Sequence, residues 1–358
     1  KQNLMHIPLL SKGSEPLLGI DIGSTSLKIV ELSRSGRTIT LQNAGVYPLP
    51  PNTFVEGKIA DIPSMAQTLR KAIALMRTKA KQVALAVPGS AVITRVLDMP
   101  SDLTEDELET QLLMEAEQYI PYSLDEVAVD FTVIEEGEEG SEQVKVLLAA
   151  CRKEGIDSLT EMVEQADLES KIIDVEPFCL ERVYPLLADQ LEEDNEGLIG
   201  VVDCGATNLR INVLDRGSTV YSREENFGTK QLSEEIQRRY GLSEEEAVAA
   251  ERDGDLPGDY EQEVLAPFRD SLIQQISRSL QFFYSSTSYS HLDCLILSGG
   301  IVGSPELVEM TESKIDLPVI AANPFKHMPC DARVDKKHLA SISPSLLIAT
   351  GLALRGVS

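Results

Sequence analysis

The sequence predicts an α/β protein built from two copies of one domain, and three observations predict it. Residues 19–34 recur without a gap, 182 positions later, as residues 201–216, with seven of sixteen positions identical. Each copy begins on an apolar strand, Leu17-Leu18-Gly19-Ile20 or Leu198-Ile199-Gly200-Val201-Val202, that ends on an aspartate followed two residues later by glycine. Strand and helix patterns then follow each copy on a common plan, and a chain of 358 residues that is 42% hydrophobic can fill two to three cores.

The identities at Asp21, Gly23, Thr25, Leu27 and Ile29 fall on every second residue. That is the signature of a strand-turn-strand unit with one pleated face held constant. In Asp21-Ile22-Gly23-Ser24-Thr25 and Asp203-Cys204-Gly205-Ala206-Thr207 the carboxylate suits a metal. The glycine lets backbone N–H groups approach an anion, and the hydroxyls donate hydrogen bonds. A lone Asp-x-Gly is an ordinary turn. Two copies in the same setting point to hairpins that face each other over one polyphosphate.

In chain order, residues 1–16 read as a mobile tail, with Met5 as the expected natural start. A third strand is expected over 38–47, then a helix over 62–79 with Met65, Leu69, Ala72, Ile73 and Met76 on one face. Residues 82–87 form a strand closed by Pro88-Gly89. A strand over 92–99 precedes a helix opened by Thr104 with Glu107 three positions later, a capping box, and stopped by Pro121. Strands over 126–134 and 143–150 and a helix over 154–166 complete an insertion into the first domain, whose sheet resumes at 171–175 before a Glu176-Pro177 helix reaching 191. The second half offers helices over 230–240, 243–252 and 260–284. A buried strand over 293–297 ends on Ser298-Gly299-Gly300, where backbone can lie flat against a ligand, and a last helix spans 343–355.

Composition narrows the function classes. With 58 acidic against 32 basic side chains the net charge is −26, so nucleic acid and anionic membrane surfaces are poor direct partners. The acidic runs Glu135-Glu136-Gly137-Glu138-Glu139 and Glu192-Glu193-Asp194-Asn195-Glu196 read as solvated loops. Five scattered cysteines without a CxxC and only four histidines indicate neither a disulfide framework nor zinc, and suit a reducing cytoplasm.

Two phosphate hairpins, a Glu-Pro connecting helix, a late Gly-Gly turn and a final Ala-Thr-Gly-Leu-Ala helix, in this order, resemble the actin/Hsp70/FtsA superfamily. The resemblance implies duplicated actin-like (ribonuclease H-like) domains that bind ATP and Mg²⁺. Asp21, Gly23, Ser24, Thr25 and Lys28 would form the first phosphate loop, and Asp203, Gly205, Thr207 and Asn208 the second. Gly299 and Gly300 match the adenosine motif, and Glu235 with Arg238 or Arg239 falls where the superfamily brings a helix to the adenine and ribose. Asp21 and Asp203 would hold Mg²⁺ mostly through water, and Glu176 matches the glutamate placed near an attacking water, with turnover slow or absent.

The inserted strand-helix-strand-strand module is similar to that of FtsA-like proteins. Residues 115–131 and 147–153 look specifically like the PilM family of type IV pilus assembly, and the chain stops without the membrane-targeting helix of FtsA. The implied organisation is a first domain of 17–87 and 171–196, a module of 88–170, a second domain of 197–230 and 286–358, and a helical subdomain of 231–285. The implied role is a cytoplasmic adaptor, peripheral to the inner membrane, that docks the N-terminal peptide of PilN. Through it the adaptor would meet PilO, PilP, the pilus motor ATPases and the platform protein, and it could self-associate. Tyr119, Ile120 and Tyr122 are candidates for the peptide groove. An FtsA-like filament protein and a small-molecule kinase stay open as alternatives.

Overall fold

Each hairpin copy sits inside its own five-stranded sheet. The computed structural model describes residues 16–55, 57–135, 142–191, 197–303 and 305–357. The tail at 1–15 and most of the two acidic runs lie outside the described residues.

The first sheet begins as an antiparallel meander of β1 (Leu17–Ile22), β2 (Ser26–Ser35) and β3 (Thr38–Pro48). A small ribbon of β4 (Phe54–Val55) and β5 (Lys58–Ile59) leads to α1 (Ile62–Met76), and β6 (Gln82–Val87) then joins β1 in parallel. Asp61 caps α1 by accepting from the Ser64 backbone N–H at 3.0 Å. The helix ends three residues short of the sequence expectation because Arg77 turns left-handed, at φ 53°.

Next come β7 (Val92–Pro100), α2 (Glu105–Ala116), β8 (Val127–Glu135) and β9 (Gln143–Arg152). The Thr104–Glu107 capping box forms as expected. The strands pair in the order β7-β9-β8 and bury Leu97, Met99, Val146 and Leu148 against Leu108 and Leu112 of α2, a core of their own. Helix α3 (Lys153–Gln165), which the boundary at 170 gives to the module, packs elsewhere. Its stripe of Ile156, Leu159, Met162 and Val163 shares a core with Met65 and Leu69 of α1, so by packing it belongs to the first domain. Strand β10 (Glu169–Val175) completes the order β10-β6-β1-β2-β3 and feeds α4 (Glu176–Ala188).

The second sheet repeats the order as β13-β12-β11-β14-β15. It uses β11 (Leu198–Cys204), β12 (Leu209–Asp215) and β13 (Ser218–Glu225). The helices α5 (Lys230–Tyr240), α6 (Glu244–Asp253) and, after a π-helical turn, α7 (Ala266–Ser286) intervene. Strand β14 (Cys294–Gly299), α8 (Pro305–Ile315), β15 (Val319–Ala321), α9 (Lys336–Ile342) and α10 (Leu347–Leu354) complete the chain.

Helices α4 and α10 lie between the two sheets. Leu180, Val183 and Leu187 of α4 and Ala349 and Ala353 of α10 share one core with Val30 and Leu32 of the first sheet and Ile199, Val201 and Leu214 of the second. A residue larger than glycine at Gly19 of β1 would overlap the Ala349 carbonyl, so strand and helix meet backbone to backbone. Among the described residues no helix is long and apolar enough to cross a membrane.

Candidate functional site

The two hairpin turns have the same internal geometry. The Gly23 N–H donates to the Ser26 carbonyl at 2.9 Å, and the Gly205 N–H donates to the Asn208 carbonyl at 3.0 Å. Thr25 and Thr207 stand exposed at the tips, and Leu27 and Leu209 are fully buried one pleat further on. The turns face each other, with the Ser24 and Thr207 hydroxyls 3.3 Å apart.

Asp21 and Lys28 of the first hairpin, Asp203 and Arg210 of the second, Glu176 and Pro177 of α4, and Ser298 of β14 line one cleft. The Lys28 ammonium donates to Asp21 at 2.8 Å. Burial pulls the Lys28 pKa down, but Asp21 and Asp203 outweigh it and hold the ammonium above its ordinary value. The Ser298 hydroxyl lies 3.0 Å from an Asp203 carboxylate oxygen and 2.8 Å from the Pro344 carbonyl. Glu176, in the first turn of α4, is paired with Arg210 at 3.3 Å. Burial pushes its carboxyl up to about 7; Arg210 opposes the shift, and Asp21 and Asp203 add to it.

The second hairpin is also enclosed by backbone. The Thr229 N–H donates to the Gly205 carbonyl and the Lys230 N–H to the Ala206 carbonyl, which seats the start of α5 on the turn. A Cβ at Gly228 would collide with Ala206. Gly299, at φ 108°, passes so close to Cys204 that only glycine fits. Gly299 is therefore a packing requirement of the second sheet, whereas a Cβ at Gly300 would meet nothing within 4 Å. The strand continues into a 3₁₀ turn, Gly300–Gly303, before α8.

The remaining sequence candidates divide. Asn208 donates to Glu224 of β13. Glu235 and Arg238 pair with each other on exposed α5, and Arg239 pairs with Asp259 and Glu263, so these three are outside the lining of the cleft. On the module Tyr119 and Tyr122 are exposed, with Arg152 over the Tyr122 ring. Ile120 is 5% exposed and shares the module core with Leu108, Leu112 and Ala116 of α2. Residue-by-residue sequence reading missed Arg210, Glu224, Ser298 and Gly228. Arg210 was within reach, since it occupies the Lys28 position of the second copy.

The description "Type IV pilus assembly protein PilM" belongs to a family model that matches residues 19–357. The chain belongs to the PilM family. A chain of the solved PilM-PilN type IV pilus biogenesis complex is 29% identical and similar over 97% of this chain and 100% of its own, with a TM-score of 0.78. The ethanolamine utilization protein EutJ from Carboxydothermus hydrogenoformans is similar over 97% and 92% of the two chains, at 16% identity and a TM-score of 0.54, a likeness of fold. The two sheets with α4 and α10 between them are duplicated actin-like domains, and PilM membership does not favour the FtsA-like or kinase reading.

Proposed function

We propose that this PilM-family chain is a nucleotide-loaded adaptor that holds ATP and Mg²⁺ between its hairpins and docks the N-terminal cytoplasmic peptide of PilN between its first domain and inserted module. The observation that carries the nucleotide reading is the convergence of Asp21, Lys28 and Asp203 in one cleft, with the facing hydroxyls of the two turns 3.3 Å apart. Among the described residues no group of three or more His, Cys, Asp and Glu side chains could hold a metal alone. Two aspartates with ligand and water oxygens suit Mg²⁺, which keeps much of its hydration. Bound Mg²⁺ would neutralise the terminal phosphates. The Gly23 and Gly205 turns and Lys28 would orient them, and the Ser24 and Thr207 hydroxyls would donate to them.

Glu176 lines the cleft with its carboxyl held by Arg210 at 3.3 Å, so it would have to leave that pair to take a proton from an attacking water, which suits slow turnover or none. The similarity to a chain of the PilM-PilN complex supports PilN as the partner. Through that peptide the protein would sit peripheral to the inner membrane and reach PilO, PilP and the pilus motor, with Tyr119 and Tyr122 as exposed contacts on the module.

Calorimetric titration with a synthetic PilN N-terminal peptide tests the adaptor role. Saturable binding to the nucleotide-loaded protein, lost on stripping nucleotide, is the expected result; a folded protein that binds in neither state sinks it. Asp21→Asn is expected to weaken ATP binding in Mg²⁺ by about tenfold or more. Unchanged affinity would remove the site assignment.

A further inference from the structure

Arg210 stands on β12 opposite Asp203, as Lys28 stands on β2 opposite Asp21. The duplicated cations then take different partners. Lys28 pairs with the aspartate of its own hairpin at 2.8 Å. Arg210 pairs instead with Glu176 of α4 and Glu224 of β13, each at 3.3 Å. Its side chain is 29% exposed and lines the cleft.

The charge balance of that cleft is unfavourable for an anion. Asp21, Glu176, Asp203 and Glu224 supply four carboxylates against the two cations Lys28 and Arg210. Lys28 is already committed to Asp21. Mg²⁺ at Asp21 and Asp203 would offset those two carboxylates and leave Glu176 and Glu224 facing a polyphosphate, where a guanidinium offers a planar fork that matches phosphate oxygens two at a time.

We propose that Arg210 is a phosphate-binding residue of the cleft, held by Glu176 and Glu224 and transferred from them to the phosphates of the incoming nucleotide. The proposal rests on the nucleotide reading above. It gives Glu224 a defined part: its carboxylate competes with the ligand for the guanidinium. Removing that negative charge while keeping the side-chain shape should therefore help binding, and the gain should be lost when Arg210 is replaced by leucine in the same chain, which simple relief of charge repulsion does not produce.

Calorimetry of the full chain with ATP in Mg²⁺, on wild type, Arg210→Leu, Arg210→Lys, Glu224→Gln and the double variant Arg210→Leu with Glu224→Gln, tests this, with thermal unfolding of each variant recorded without ligand. Arg210→Leu is expected to weaken affinity about tenfold, as for loss of one charged hydrogen-bonding partner. Arg210→Lys should recover part of the loss, and Glu224→Gln should bind more tightly than wild type, a gain absent from the double variant. Wild-type affinity in Arg210→Leu overturns the proposal, as does a Glu224→Gln gain that persists in the double variant. So does unchanged or weaker binding in folded Glu224→Gln, which stands even where Arg210→Leu does not fold. If wild type binds no ATP, the nucleotide reading fails and this one with it; wild-type binding with an indifferent Arg210 removes this one alone.

Discussion

The two hairpins share a sequence pattern and a turn geometry but differ in what surrounds them. A side chain at Gly23 would meet only its own hairpin, the Lys28 ammonium and the Ser26 carbonyl, each at 3.3 Å. The turn of the second hairpin is overlaid by the start of α5, and its strand is pressed by Gly299 of β14. The cations follow the same division, Lys28 bonded within its hairpin and Arg210 bonded outward to α4 and β13. Both first strands are pressed by backbone, β1 by α10 at Gly19 and β11 by β14 at Gly299. The halves therefore differ at their turns: α5 is seated on the second, while the first is bonded to the following chain at Thr25 and borders the flexible Lys28. Pre-organising one side of a site while the other adapts lowers the ordering cost of binding without closing the entrance.

The largest effect that could break this comparison lies at the second hairpin. Gly299→Ala should destabilise the protein by about 3 kcal/mol or more, since it combines backbone overlap with a φ that side chains resist. Gly23→Ala should cost only about 1 kcal/mol. Thermal or urea unfolding of the pair decides it, and equal costs would mean that the Gly23 turn is held as tightly as the contact of β14 with β11.

A smaller effect concerns the carboxyl between the halves. Glu176 sits above its ordinary 4.5, at about 7. For a raised pKa the folded state keeps its proton longer than the unfolded chain, so its contribution is fully present below pH 4.5 and lost as pH rises towards 7. Glu176→Gln should remove up to about 3 kcal/mol of that pH-dependent loss, read as the difference between wild-type and variant unfolding curves from pH 4 to 8. Parallel curves would show that Arg210 keeps Glu176 ionised throughout.

The smallest effect is at the tips. Without ligand, a double-mutant cycle of Ser24→Ala and Thr207→Val should give coupling within about 0.5 kcal/mol, because the hydroxyl contact is exposed. Coupling above about 1 kcal/mol would mean that the hairpins hold each other before any nucleotide arrives.

The parts legible in the sequence are those fixed by short-range rules. Both hairpins, β6 and α5, the capping box at Thr104 and the Glu176-Pro177 helix start stand where period, caps and proline place them. What escaped depends on tertiary partners. Strand β13 alternates exposed and half-buried residues without an apolar run, and β15 spans three residues, so neither announces itself. Helix α3 carries a clear stripe, but the stripe does not say which of two neighbouring cores receives it. Arg210 is visible in the repeat as a lysine replaced by arginine, yet its partners Glu176 and Glu224 come from separate elements. Arg239 shows the reverse case, a cation at the family position whose carboxylate partners on the neighbouring turn take it up.

The place of α10 bears on how the chain is made. Strand β1 is made well before α10, yet Gly19 lies against the Ala349 backbone, and Ala349 and Ala353 fill the core that β2 shares with the second sheet. The first domain therefore cannot complete the burial of that sheet face with α4 alone and needs a helix made more than 300 residues after β1. A contact of such long sequence separation forms late in folding, and until it does the sheet face is partly bare.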